Sequence, residues 1–290
     1  METRELWKKF YGPSTLRTGI EKSRNLMTVR ISQEIGIKKI TNFSKKLNIY
    51  ENPDELLSIS LGSAETTLMK LTSAYCSFIN GGKLVEPILI DRIQDSEGNT
   101  IYNTEKRVCE KCNAISYLGK KYPKIKDNFK QIFSEETAYQ LTSMLEGAVK
   151  RGTGKKLRDL NLNLAGKTGT TNNNTDAWFI GFTSNLVVGV YVGFDDPKTL
   201  GKIETGARAA LPIFKLFMKN AINQQDSKPF KVAKNIKMMV IDPRTGKKAN
   251  FGAKATIIEA YKKNNIENLN FDLNNNLKYR FNKNNILRFY

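Results

Sequence analysis

The stretch LAGKTGTTNNNTDAWFIGF, residues 164–182, is the one from which the rest of the chain can be read. Leu162 and Leu164 alternate with Asn161, Asn163 and Ala165 on the way into it, a pattern that predicts a strand with one buried face. Gly166 and Gly169 remove side chains on either side of Lys167, and Thr168, Thr170 and Thr171 set hydroxyls beside the cation. Such a strand lets a ligand backbone lie close while NH and OH groups point at its carboxylate or carbonyl, which suits anion recognition. Alone, a K-T-G triplet is also compatible with a hairpin whose lysine is merely solvated, because short motifs recur by chance.

The company of the triplet narrows this. Ser23-Arg24-Asn25 stands far upstream as an S-x-N triplet, and four blocks follow one another along the chain. They are YGPSTLRTGIEKSRNLMTVR (11–30), LGSAETTLMKLTSAYCSFINGG (61–82), AGKTGTTNNNTDAWFIGFTSNLVVGVYVGFDDPKTLG (165–201) and TGARAALPIFKLFM (205–218). In this order and spacing the sequence resembles the C-terminal part of the transpeptidase domain of class A penicillin-binding proteins of the 1A type, from roughly Tyr11 to Ala260. The resemblance implies an α+β fold, an antiparallel sheet covered by helices as in penicillin-binding proteins and serine β-lactamases, truncated at its N-terminal side. It also implies a D-Ala-D-Ala transpeptidase that cross-links cell-wall stem peptides through a serine acyl-enzyme, with peptidoglycan stem peptides and β-lactams as partners and no cofactor or metal.

By the same resemblance, Lys167 supplies positive potential near the nucleophile and Ser23 relays a proton to the leaving nitrogen. Asn25 holds a substrate amide. Thr168, Gly169 and Thr170 form the substrate cradle, the two hydroxyls binding the terminal carboxylate and the Thr170 amide giving one oxyanion donor. One departure outweighs the matches: the family's nucleophile sits in an S-x-x-K tetrad before the S-x-N triplet, and no serine of this sequence has lysine three positions on. Thr67-Leu68-Met69-Lys70 has the spacing but falls where the family has a structural helix. The expectation is therefore that this chain alone is inactive. A separately encoded N-terminal part would supply the missing serine, or else the chain is a catalytically dead module that still binds peptidoglycan or a partner.

Composition sets the outer bounds. The 290 residues and 40% hydrophobic content suffice for a sizeable core. Lysine and arginine outnumber acids 47 to 28, a net charge of +19 that invites anionic partners, but the cations are scattered and no nucleic-acid-binding pattern accompanies them, so no nucleic acid is expected. The absence of histidine excludes Ser-His-Asp and Cys-His machinery and every histidine-containing metal site, leaving lysine, tyrosine or carboxylate as the available base. Cys76 lies in an apolar helical pattern and reads as a buried small hydrophobe. For Cys109 and Cys112, a C-x-x-C pair in a lysine-rich insertion, a strained disulfide, half a zinc site and no role all stay open. No apolar run approaches a membrane span, and METRELWKKF lacks the apolar core of a signal peptide. The family is anchored in the inner membrane with this domain on the periplasmic side. A chain made alone without signal or anchor is expected in the cytoplasm.

Along the chain, helices are expected at 15–21, 26–34 and 37–47, through Leu68, Leu71, Tyr75 and Phe78, and after Ser134 up to Gly152. Val85 to Tyr102 reads as a hairpin around D-S-E-G-N, and 177–183 with 186–194 as a second. A closing helix at 207–222 would bury Ala210, Phe214, Phe217 and Ala221. The expected division is a partial transpeptidase domain over 1–228, a small appendage over 229–263 with strands at 236–241 and 255–261, and an Asn/Lys-rich tail over 264–290.

Overall fold

A computed structural model of the chain describes residues 11–105, 107, 109–110, 124–125, 127–249 and 255–264. Hydroxyl caps mark several helix starts, satisfying amides that have no partner inside the helix. Thr15 accepts from Thr18 N at 3.3 Å and opens α1 (Leu16–Lys22). α2 (Asn25–Ile35) and α3 (Ile37–Lys46) follow, separated by Gly36 at φ 92. Thr67 caps α4 (Leu68–Ile79) by accepting from Lys70 N, which places Thr67 and Lys70 at a helix start and gives the T-x-x-K spacing a structural use.

The first expected hairpin is shorter than the sequence pattern suggests. Pairing is confined to β1 (Arg92–Gln94) and β2 (Thr100–Asn103), around a turn where Asp95 Oδ1 accepts from Glu97 N and Asn99 N at 3.1 and 2.7 Å. Ile88, Leu89 and Ile90, which make the run look like a strand, stay exposed and unpaired with β2. A two-residue pairing, β3 (Cys109–Glu110) with β4 (Lys124–Ile125), lies in the lysine-rich insertion. Cys112, the side chain of Cys109 and residues 265–290 lie outside the described residues. Cys76 is half-buried, its thiol donating to Thr72 O at 3.6 Å, rather than fully enclosed.

Ser134 accepts from Thr137 N and opens α5 (Glu135–Lys150), whose first turn carries Glu135 and Glu136 where the helix dipole favours acids. The chain then turns through a short 3-10 helix at 155–160 into β5 (Ala165–Thr170). The strand begins at Ala165, because Leu157, Leu160 and Leu164 are spent on packing the turn into the core instead of extending the strand backwards. β6 (Ala177–Phe182) and β7 (Val187–Val192) complete an antiparallel sheet in the order β5-β6-β7, with Lys167 opposite Ile180 and Thr170 opposite Ala177. Among the described residues β5 and β7 are its edges.

Helices cover both faces of this sheet. On one, Ala165 and Phe182 pack with Leu145 of α5, Tyr75 and Phe78 of α4, and Ile20 of α1. On the other, Phe179 meets Phe214 of α6 (Ala210–Ala221) at a ring distance of 4.8 Å, with Leu211 and Met218 alongside. Gly181 makes that face flat enough: a Cβ there would come within 2.6 Å of the Phe214 ring and 2.7 Å of the Phe179 ring. The buried stripe of α6 is Ala210, Leu211, Phe214 and Met218; Phe217 and Ala221, expected inside, point outward with Ile213 and Leu216. Both stripes have helical spacing, and the sheet selects the one that can reach Phe179.

The chain ends its described course in an antiparallel pair, β8 (Ile236–Ile241) with β9 (Ile257–Lys262). Ala233, Ile236 and Ala260 form a small core against Tyr139 of α5, and Gln140 Nε2 donates to Ala260 O at 2.8 Å.

Candidate active site

β5 brings Lys167 to an unpaired sheet edge, and α1 brings Ser23 to the same place. The two residues are 144 positions apart in sequence, yet Lys167 Nζ donates to Ser23 Oγ at 2.6 Å and to Thr168 O at 2.9 Å. The sequence pattern requires only that they face one cleft; the structure joins them by a hydrogen bond. Ser23 is the C-cap of α1 at φ 54 and ψ 55, a left-handed conformation uncommon for a residue with a Cβ. Its amide closes on Ile20 O at 3.2 Å, so the turn that ends the helix also aims the hydroxyl. Asn25 opens α2 two residues later and is partly exposed.

Burial lowers the Lys167 amine from the ordinary lysine range to about 8. A charge taken out of water is disfavoured, and the partners in reach are a neutral hydroxyl and a carbonyl. The amine is therefore a base with a substantial neutral fraction slightly above neutral pH, and a positive charge that would welcome an anion below it.

The threonines of the strand are each engaged. Thr168 Oγ1 donates to Thr153 Oγ1 at 3.0 Å, and Thr170 Oγ1 accepts from Gly206 N at 3.0 Å. Thr171 Oγ1 accepts from Asp176 N at 2.8 Å and lies 2.7 Å from Thr175 Oγ1, closing the loop between β5 and β6. Thr171 N bonds Asp176 O at 3.1 Å, so the alternation of an antiparallel ladder turns the amides of Thr170 and Thr168 away from β6, toward the open edge. The space beside two glycines is already used: a Cβ on Gly166 would lie 2.8 Å from the Phe179 ring, and one on Gly169 3.1 Å from Trp178 Cβ. Their smallness serves cross-strand packing, where the sequence pattern suggests room for a ligand.

Sequence reasoning missed Thr153, Gly206 and the charged residues under α1. Arg17 and Glu21 are 2% and 5% exposed. Arg17 grips Glu259 of β9 with both Nε and Nη2 at 2.5 Å, and Glu21 takes Arg151 Nη2 at 2.5 Å. A spacing of four between Arg17 and Glu21 is a legible helical pair, but nothing in the sequence says that it faces inward. A cavity of about 450 Å³ lies elsewhere, between the end of α4, the start of α5 and residues 228–233, and holds none of the motif residues. The hydrogen-bonded pair of Ser23 and Lys167 lies outside the lining of this cavity.

An edge strand carrying K-T-G, an S-x-N serine bonded to its lysine, and helices on both sheet faces thus meet at one place in the fold. The family model for the penicillin-binding protein transpeptidase domain matches residues 3–219, and the chain belongs to that family. It is 47% identical over 266 residues to penicillin-binding protein 1A of Rickettsia prowazekii (strain Madrid E), an alignment covering 91% of this chain and 33% of that protein. Penicillin-binding protein 1A of Pseudomonas aeruginosa is 34% identical over 286 residues, covering 87% of this chain and 34% of its own length. The crystal structure of penicillin-binding protein 1A from Haemophilus influenzae superposes with a TM-score of 0.73 at 30% identity, covering 87% of this chain and 40% of that one. The chain thus spans about a third of the length of the curated relatives it matches.

Proposed function

We propose that this chain forms the substrate-cradling and proton-relaying wall of a peptidoglycan D-Ala-D-Ala transpeptidase. The observation that carries the reading is the 2.6 Å bond between Lys167 Nζ and Ser23 Oγ at an open strand edge. In this reading the terminal carboxylate of a stem peptide lies along β5, held by the charge of Lys167 and by the hydroxyls of Thr168 and Thr170, the Thr168 proton turning from Thr153 Oγ1 to the ligand. Gly169 keeps the strand between them slim. The Thr170 amide points where an oxyanion would form, Asn25 holds the peptide amide, and Ser23 passes a proton between Lys167 and the leaving nitrogen as the acyl bond forms. The attacking serine comes from an S-x-x-K segment that this sequence does not contain, on a preceding or separately made part of the protein. Penicillins compete as mimics of the same carboxylate and amide.

A second reading has its own observation: without an S-x-x-K tetrad the cradle would bind stem peptides and not turn them over. Two measurements separate the readings. Calorimetric titration with a peptide ending in D-Ala-D-Ala, against the same peptide amidated at its C-terminus, should show about tenfold weaker binding for the amide, and Lys167→Ala should erase the difference; equal binding of the two peptides rejects both. Fluorescent penicillin should leave no denaturation-resistant label on the chain alone, and should label an added S-x-x-K segment only when the chain is present. Failure of that complementation, with peptide binding intact, leaves the binding module. A label on the chain alone that disappears in Ser23→Ala would show that Ser23 is itself the nucleophile.

A further inference from the structure

α1 has seven residues, too few to hold its position by its own hydrogen bonds. What it buries is unusual: Ile20 packs partly against the sheet, but its fully buried residues are Arg17 and Glu21. The helix is therefore located by polar contacts. Arg17 donates from Nη1 to Ser143 O at 2.9 Å and from Nη2 to Ser143 Oγ at 2.9 Å on α5, in addition to its two-pronged grip on Glu259. Glu21 accepts from Arg151, and its backbone carbonyl accepts from Thr153 N at 3.2 Å. Two arginines and two glutamates make a neutral set, buried at Arg17, Glu21 and Glu259 and open to solvent at Arg151, whose side chain is 40% exposed. Burial works against the charge on Arg17, but Glu259 first and then Glu21 outweigh it and raise its pKa above the usual value.

Glu259 is the member of this set contributed from farthest away in sequence, 242 positions from Arg17. It is 7% exposed, on the face of β9 opposite to Ala260 and its small core. A second tie runs in parallel, since the hydroxyls of Thr15 and Thr18 reach Pro243 O, at 3.2 and 3.4 Å, in the turn after β8. The β8–β9 unit thus holds α1 by its N-cap and first turn, through Thr15, Arg17 and Thr18. Two hydrogen bonds lead from the far end of α1 to the site. Ser23, the C-cap, accepts from Lys167, and Thr153, held by the Glu21 carbonyl, accepts from Thr168.

We propose that Glu259 is a positioning residue for the site: through Arg17 it fixes α1, and with α1 the Ser23 hydroxyl over Lys167 and Thr153 against Thr168. The C-terminal strand pair is then part of the site's framework, and its removal would unseat the S-x-N serine without touching it. The inference rests on the Ser23–Lys167 geometry and invokes no reaction, so its failure leaves the transpeptidase reading standing, and failure of that reading leaves it unaffected.

The test reads Lys167 in the folded chain. Burial lowers its amine to about 8, and the Ser23 hydroxyl at the end of α1 is one of its two hydrogen-bond partners, so withdrawal of Ser23 should open the amine to water and move the titration upward. The Cε resonance of 13C-labelled lysine, assigned by its loss in Lys167→Ala, is followed against pH. Glu259→Gln should raise the titration by about one unit or more. Ile236→Ala removes packing from the same strand pair without touching Arg17, and should lower the melting temperature while leaving Lys167 near 8. A folded Glu259→Gln chain with Lys167 still near 8, or an equal shift in Ile236→Ala, overturns the proposal, because stability alone would then account for Glu259. Should Glu259→Gln fail to fold, Arg17→Lys, which keeps the charge but loses the fork, takes its place with the same expected and refuting results.

Discussion

Replacing Lys167 by methionine should change the dependence of stability on pH more than stability itself. The folded amine titrates near 8, against 10.5 for an ordinary lysine. Between these values the unfolded chain binds the proton that the folded chain has released, so wild-type stability gains as pH rises through 8 and the gain is complete near 10.5. Below 8 both states are protonated and the full cost of enclosing the charge is present. The difference of 2.5 units sets a ceiling of about 3 kcal/mol, and the span from pH 7 to pH 10 captures about 2 kcal/mol, since the side chain as a whole keeps some exposure. Lys167→Met preserves length and most packing but has no proton to exchange. Urea unfolding of both chains at pH 7 and pH 10 gives four free energies, and the wild-type stability relative to the variant should grow by that amount at the higher pH. Working with the difference cancels other groups, among them Tyr75, which burial pushes up to about 12 and which acts in the opposite direction above pH 10. A relative stability that stays constant within about 0.5 kcal/mol would mean that the amine is hydrated in the folded chain and that the enclosure of Lys167 has been misread.

The remaining expectations are simpler. Gly152→Ala would drive a methyl into the Glu21 carbonyl and the last turn of α5, so it should cost about 1–3 kcal/mol and be visible as a lower melting temperature; an unchanged melt would show that α1 yields at this point. Phe214→Ala, at a position with 0% exposure against Phe179, should cost about 3–5 kcal/mol in urea unfolding, whereas Phe217→Ala on the outward face should stay within about 0.5 kcal/mol. Equal effects would place the buried stripe of α6 wrongly. Thr153→Val removes the acceptor that holds the Thr168 proton, so it should free that hydroxyl and strengthen binding of a D-Ala-D-Ala peptide while leaving the fold intact, and unaltered binding would remove Thr153 from the site.

Much of the fold is legible because each signal is local. Ser134 followed by two glutamates forecasts the start of α5, and Ser184-Asn185 between two β-rich runs forecasts the turn between β6 and β7. The convergence of Ser23 and Lys167 is legible for another reason: the order of four sequence blocks resembles one family, and no periodicity could have supplied it. What stays hidden depends on choices made in three dimensions. Phe217 and Phe214 have equal claims to a helix face until Gly181 and Phe179 decide which ring fits. Leu162 and Leu164 alternate like a strand, yet Leu164 is needed to fill the space under the 3-10 turn, so β5 starts later. Arg17 and Glu259 are the clearest case. Charged residues read as solvated faces, and only a partner 242 positions away turns them inward.

The left-handed backbone of Ser23 ties durability to chemistry at a single residue. Holding a serine at φ 54 and ψ 55 costs about 1 kcal/mol that a glycine would not incur. Selection for robustness alone would therefore drift toward glycine at this position, which relaxes the turn and silences the hydroxyl, while alanine would keep the strain and lose the oxygen as well. Measured side by side, the Ser23→Gly and Ser23→Ala chains separate what the backbone demands from what the hydroxyl returns. The gap between the two variants measures the stability that the fold gives up to keep an oxygen over Lys167.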